Sequence, residues 1–64
     1  MCIATVYIDA ADQRREVMRD VVQIEAENDG FLLISLLGEE KFLQGKIKSI
    51  DFLKEHSVVI EKEG

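Results

Sequence analysis

Cys2 is the residue with the most distinctive chemistry in this sequence, because it is the single thiol and stands at the second position. A thiolate and a backbone nitrogen lie side by side there. If Met1 is removed, the α-amine and the thiolate of Cys2 form a chelate on one residue. If Met1 is retained, the amide nitrogen and the sulfur of Cys2 remain available. Mixed nitrogen and sulfur donors suit nickel, copper or zinc, so Cys2 is the candidate metal ligand.

A second copy of the chain would complete such a site. A twofold dimer that brought two Cys2 residues together would supply two nitrogen and two sulfur donors in a plane, which favours Ni(II) or Cu(II) over tetrahedral Zn(II). The competing interpretation makes Cys2 a small buried hydrophobe beside Ala4 and Val6, since free cysteine is among the most buried residue types. The two interpretations predict opposite exposures for the thiol.

The other potential ligands favour structural roles. His56 is the single imidazole, and its neighbours place it in a hairpin loop, where we expect a solvated turn residue. The acidic residues fall at turns and strand exteriors, where a solvated face is expected over a cation site; they are Glu25, Glu27, Asp29, Glu39 and Glu40. No nucleophile, base and orienting group occur together, so we predict that the chain is not an enzyme.

Charge and composition limit the partners. Thirteen acidic and eight basic residues give a net charge of −5, which repels nucleic-acid phosphates. Four lysines form a candidate basic stripe: Lys41, Lys46, Lys48 and Lys54. Because the net charge of the chain is negative, RNA binding through this stripe is disfavoured. The longest apolar run, residues 31–37, is far shorter than a membrane span. With one cysteine and no targeting pattern, we expect a cytoplasmic protein without membrane contact.

The length of the chain predicts a single domain over residues 1–64. A domain of this size buries only about 60% of the surface of its unfolded chain and is marginally stable alone. One cysteine and one histidine provide neither a disulfide nor a metal cage within one chain. We therefore expect a homodimer.

The apolar residues alternate with a period of two, which is typical of strands. The segment 12–22 is ambiguous between helix and strand, and we favour two strands bent near Asp20. Asp29-Gly30 predicts a tight type I′ hairpin turn. Residues 31–37 are apolar on both faces, which predicts burial on both sides, and a change of parity predicts a bulge near Ser49.

The spacing of these turns predicts the fold. About six short antiparallel strands fit the chain, with a last hairpin at residues 54–57. Such strands protect their edges by curling into a small SH3-like barrel, by pairing across a dimer, or both. The fold class is therefore all-β.

Four stretches of the sequence carry a resemblance to a known family. They are Met1-Cys2-Ile3-Ala4, Val21-Val22-Gln23-Ile24-Glu25-Ala26-Glu27, Gly38-Glu39-Glu40 and Gly45-Lys46-Ile47-Lys48-Ser49-Ile50-Asp51-Phe52. Together they resemble the CooT family, small proteins associated with carbon monoxide dehydrogenase maturation. Many relatives are labelled only as predicted RNA-binding proteins.

The resemblance implies an SH3-like barrel that forms a homodimer and binds Ni(II) through Cys2. From the donor chemistry of Cys2, Cu(II) and Zn(II) are expected as competitors. By analogy it implies nickel trafficking to a client metalloenzyme such as carbon monoxide dehydrogenase. The alternative is an RNA-binding or protein-interaction module of the small-barrel type, whose binding would not depend on Cys2.

Overall fold

A computed structural model describes residues 2–62, so that Met1, Glu63 and Gly64 lie outside the described residues. The strands are β1 (Ala4–Ala10), β2 (Gln13–Glu27), β3 (Gly30–Ser35), β4 (Glu40–Gln44), β5 (Lys46–Asp51) and β6 (Ser57–Glu61). They form one six-stranded sheet in the order β4-β3-β2-β1-β6-β5. The predicted all-β class and the number of strands are confirmed.

The segment that was ambiguous between helix and strand belongs to the long strand β2. Its first half pairs with β1 and its second half with β3, so one strand serves both parts of the sheet. Asp20 has a φ angle of 56°, and the β2–β3 register shifts between Val21 and Gln23. The predicted bend near Asp20 is therefore confirmed, within one continuous strand.

The β2–β3 hairpin forms where Asp29-Gly30 predicted it, but the turn lies one residue earlier. Its residues are Asn28 and Asp29, and Asn28 has the positive φ angle of 55°. Gly30 is instead the first residue of β3. A Cβ atom at Gly30 would lie 2.7 Å from Cζ of Phe42, so glycine is needed there for the close approach of β4.

Gly45 joins the two edges of the sheet. Gln44 ends β4 beside Gly30, whereas Lys46 starts β5 beside Glu61 at the opposite edge. Because one residue separates Gln44 from Lys46, the sheet must curl until its edges meet at this point. Gly45 has a φ angle of 142°, and its N–H donates to the carbonyl oxygen of Asp29 at 3.1 Å.

The prediction of antiparallel pairing throughout is wrong at one ladder, because β1 and β6 are parallel. The crossing at Gly45 carries the chain to the far edge, and the β5–β6 hairpin then returns it beside β1 in the same direction. Within residues 2–62 no ladder joins β4 to β5. The sheet is curled but not closed, so the prediction of a closed SH3-like barrel is wrong for residues 2–62.

The core lies on the concave face of this curled sheet, here called the inner face. Its buried residues come from four strands; they are Ala4, Val6, Met18, Val21, Leu33, Val58 and Ile60. The predicted bulge near Ser49 is confirmed, since the β5–β6 register shifts between Ile47 and Ser49. Ile47 and Ile50 consequently lie opposite the core residues Ile60 and Val58, on the same face.

The apolar segment 31–37 is only partly buried on both sides. Strand β3 ends at Ser35, so Leu36 and Leu37 lie in an exposed turn. Leu33 is fully buried on the inner face, while Leu32 and Ile34 are half-buried on the opposite face. We call the opposite face the outer face. No helix among the described residues is long and apolar enough to cross a membrane.

Candidate functional site

Cys2 lies just before β1 and is exposed, so it is not a buried core residue. By strand alternation it continues the row of Ala4 and Val6, which are both buried. The residue therefore stands where the inner face of the sheet meets solvent. The interpretation of Cys2 as a packed hydrophobe does not hold for this chain.

An apolar opening surrounds Cys2, and we call it the mouth. It is a cavity of about 210 Å³. The exposed or half-buried residues that line it are Cys2, Val22, Gln23, Ile24, Ile50 and Phe52. Behind them lie core residues, so the mouth is a gap in the cover of the core.

The mouth exists because the sheet does not close. The edges of the sheet meet at Gly45 and separate toward the far end of β5, where no strand covers the inner face. Ile50 is consequently 57% exposed and Phe52 is 45% exposed, although Ile50 points to the core side. Apolar side chains exposed together in this way are typical of surfaces that bind another molecule.

A second cavity of about 210 Å³ adjoins the mouth and is lined by Cys2, Ile3, Phe52 and His56. The rings of Phe52 and His56 are 6.1 Å apart between centroids and are inclined at 38°. Cys2 and Phe52 line both cavities. The thiol and the only imidazole of the chain therefore share one solvent-accessible space.

The loop that carries Phe52 and His56 is held by hydrogen bonds to the Asp51 carboxylate and to the backbone of Thr5. The N–H groups of Leu53 and Lys54 donate to Oδ1 of Asp51 at 2.8 and 3.0 Å. These bonds to Lys54 and Leu53 lower the pKa of the Asp51 carboxyl below its ordinary value, because they favour the charged form. His56 has a φ angle of 51°, and its carbonyl oxygen accepts from Thr5 N–H at 2.9 Å.

The exposed position of His56 in a loop agrees with the prediction, but its proximity to the Cys2 cavity was not foreseen. That proximity results from the parallel pairing of β1 with β6, which brings the residues before both strands together. Among the described residues, no three of His, Cys, Asp and Glu are grouped so that they could hold a metal ion. The described part of one chain therefore offers a thiol and a neighbouring imidazole, but no cage of three ligands.

Two of the four lysines predicted as a stripe contact different parts of the chain. Lys41 Nζ donates to the carbonyl oxygen of Val17 at 3.3 Å, on the inner side of β4. Lys48 Nζ is 3.0 Å from Oδ2 of Asp9.

A polar cavity lies at the other end of the sheet. It measures about 600 Å³ and includes Asp9, Arg14 and Lys48. Arg14 Nε donates to Oδ1 of Asp9 at 2.7 Å, and Lys48 Nζ donates to Oδ2. Hydrogen bonds from Arg14 and then Lys48 hold the pKa of the Asp9 carboxyl well below its ordinary range. The Asp9 carboxylate thus pairs with two cations, and these contacts link the first hairpin to β5.

The fold and the site define a small all-β protein with an exposed thiol at an apolar opening of its single sheet. Comparison with protein families identifies it further. Residues 1–61 match the family model described as CO dehydrogenase accessory protein CooT, and the chain therefore belongs to the CooT family. The match confirms the resemblance inferred from the four sequence stretches.

Individual relatives agree with this assignment. An uncharacterised protein, MJ1551 of Methanocaldococcus jannaschii, is 36% identical over 61 residues, covering 95% of this chain and 98% of its own. The crystal structure of a Carboxydothermus hydrogenoformans protein assigned to CooT superposes with a TM-score of 0.86 at 27% identity. That match covers 98% of this chain and 100% of the other.

The family assignment bears on two predictions about function. CooT is described as an accessory protein of CO dehydrogenase and not as an enzyme, in agreement with the prediction for this chain. The link to CO dehydrogenase is likewise a property of the family.

Proposed function

We propose that this protein binds Ni(II) through the Cys2 thiolate at the interface of a homodimer and serves the maturation of a client metalloenzyme such as CO dehydrogenase. The observation that carries the proposal is the exposed position of Cys2 at the rim of the mouth. A soft thiolate that solvent can reach is suited to capturing a borderline metal ion and releasing it again.

A second copy of the chain supplies the metal ligands that the described part of one chain lacks. No group of three potential ligands exists among residues 2–62, so two donors on Cys2 must be supplemented from elsewhere. If two mouths face each other, two thiolates and two backbone nitrogens meet, which is a planar set that suits Ni(II). Copper and zinc would compete for the same donors.

The mouth supplies the apolar surface for this dimer. Ile50, Phe52 and Val22 are 57%, 45% and 40% exposed, and a second copy would remove them from water. Burial of apolar area stabilises association by about 25 cal/mol per Å² before the costs of ordering are subtracted. Apolar packing around the thiolates also excludes water from the metal.

His56 and Phe52 have a shaping role in this proposal. Their ring contact fixes one wall of the space that Cys2 lines.

The Cys2 sulfur must lose a proton to bind nickel, so binding releases protons and the affinity for nickel rises with pH.

A spectroscopic titration tests the proposal. Addition of Ni(II) to the wild-type protein should produce a thiolate-to-nickel absorption band that saturates at a fixed stoichiometry, and Cys2→Ser should abolish both the band and the binding. His56→Ala, a matched change in the same cavity, should retain the band. Stoichiometric nickel binding by Cys2→Ser would refute the role of Cys2.

A further inference from the structure

The outer face of the second half of β2, β3 and β4 is a separate surface that the nickel proposal does not use. Cross-strand partners in this part of the sheet are Glu25 with Leu32, and Leu32 with Phe42. Directly opposed residues point to the same side, and alternate residues along each strand follow them. The face therefore consists of three rows that can be read from the register.

Three apolar side chains form the centre of this face: Leu32, Ile34 and Phe42. Phe42 is 44% exposed, and Leu32 and Ile34 are half-buried. Gly30 allows the Phe42 ring to lie close to the sheet, because a Cβ atom there would be 2.7 Å from Cζ of Phe42. The centre is thus an apolar patch whose Phe42 ring is held close to the backbone, and exposed apolar patches of this kind are typical of docking surfaces.

Carboxylates surround this patch. Glu25 and Glu27 lie on its β2 side and Glu40 on its β4 side, and all three are exposed. The single cation within residues 23–27, 30–35 and 40–44 is Lys41, which pairs with the buried Leu33 and therefore belongs to the inner face. Within these three ranges the outer face presents three negative charges and no positive charge. Arg19, in the first half of β2, is paired with Glu16 at 2.9 Å.

The charges on the outer face indicate which kind of partner can bind there. A second copy stacked face to face would oppose the same three carboxylates on chains that each carry a net charge of −5, which like-charge repulsion disfavours. Nucleic acids and anionic membranes are repelled for the same reason. A protein surface with apolar side chains encircled by Lys or Arg is complementary in both respects.

We propose that the outer face of β2, β3 and β4 docks a different protein through Leu32, Ile34 and Phe42, and that the partner contributes a basic rim to Glu25, Glu27 and Glu40. The surface is on the side of the sheet opposite the mouth. It therefore stays open when two mouths are joined, and the dimer presents two such faces. The proposal goes beyond nickel binding and does not depend on Cys2.

Two synthetic amphipathic helical peptides of equal length test the proposal, one built from Leu and Lys and the other from Leu and Glu. Each is titrated into the full-length ¹⁵N-labelled protein, and amide shifts are followed by NMR. The Leu/Lys peptide should shift resonances of β3 and β4, and raising the salt concentration should weaken its binding. The Leu/Glu peptide should not bind.

Variants make the test specific. Phe42→Ser should weaken binding of the Leu/Lys peptide about tenfold, as for an interface anchor. Leu53→Ser, in the exposed loop between β5 and β6 at the other edge of the sheet, should leave binding unchanged. A Glu25→Lys, Glu40→Lys double variant should reverse the preference toward the Leu/Glu peptide, and this result does not depend on how Phe42→Ser folds. The absence of binding, equal binding of both peptides, or shifts confined to the mouth would overturn the proposal.

Discussion

The rings of Phe52 and His56 lie against each other, with centroids 6.1 Å apart and planes inclined at 38°. Both residues belong to the loop between β5 and β6, and both line a cavity that Cys2 enters. The shape of the proposed metal site therefore depends on how firmly this short loop is held. Asp51 holds it, since its carboxylate accepts two backbone N–H groups of the loop.

Asp51→Ala should weaken nickel binding without abolishing it. Loss of the two hydrogen bonds frees the loop, so ordering of Phe52 and His56 must accompany binding, and we expect an affinity lower by about three- to tenfold. Competition with a chelator measures this ratio. Asp12→Asn removes the same charge at the distant first turn and should have no effect; an equal effect of the two variants would show that net charge, and not the loop, is responsible.

Gly45→Ala should strongly destabilise the fold, because Gly45 joins the two edges of the sheet. An added Cβ atom would lie 2.5 Å from the carbonyl oxygen of Glu61, at a φ angle of 142° that other residues rarely adopt. We expect a loss of about 2 kcal/mol or more in chemical denaturation.

Gly38→Ala is the matched control for this change. Gly38 also has a positive φ angle, 90°, but nothing lies within 4 Å of its would-be Cβ atom. Backbone strain alone should then cost about 1 kcal/mol. Equal losses for the two glycines would contradict the importance of the close contact at the sheet junction.

Asp9→Asn should change how stability depends on pH. Arg14 and Lys48 lower the pKa of the folded Asp9 carboxyl below its unfolded value of about 3.9, so its contribution is complete above about pH 5 and is lost as the pH falls. Wild type should therefore exceed Asp9→Asn in thermal midpoint at pH 7, and the gap should shrink below about pH 4. A gap that stays constant from pH 7 to pH 3 would exclude this ion pair as its source. Salt should narrow the gap, since the pair is partly exposed.

Local features of the fold could be predicted from the sequence, because they depend on neighbouring residues. The bend at Asp20 and the bulge beside Ser49 follow from changes in the alternation of apolar residues. The β2–β3 hairpin was also predicted, although its turn lies one residue earlier. There the contact of Phe42 with Gly30, which is remote in sequence, determines where the glycine is needed.

Features that depend on distant pairing could not be predicted. From the sequence, Gly45 is equally compatible with a turn and with a bulge. The residues beside it do not indicate that it carries the chain to the opposite edge of the sheet. The parallel β1–β6 pairing follows from that crossing. The shared cavity of Cys2 and His56 follows in turn, so sequence reasoning found the thiol but left the imidazole as an isolated turn residue.

Native mass spectrometry of the untagged protein, titrated with Ni(II), tests the central claim most directly. Wild type should appear as a nickel-loaded dimer, and Cys2→Ser should take up no nickel under the same conditions. His56→Ala should keep the loaded dimer, which separates the ligand from the wall of its cavity. Nickel uptake by Cys2→Ser equal to that of wild type, or no uptake by wild type, would contradict the proposed role of Cys2.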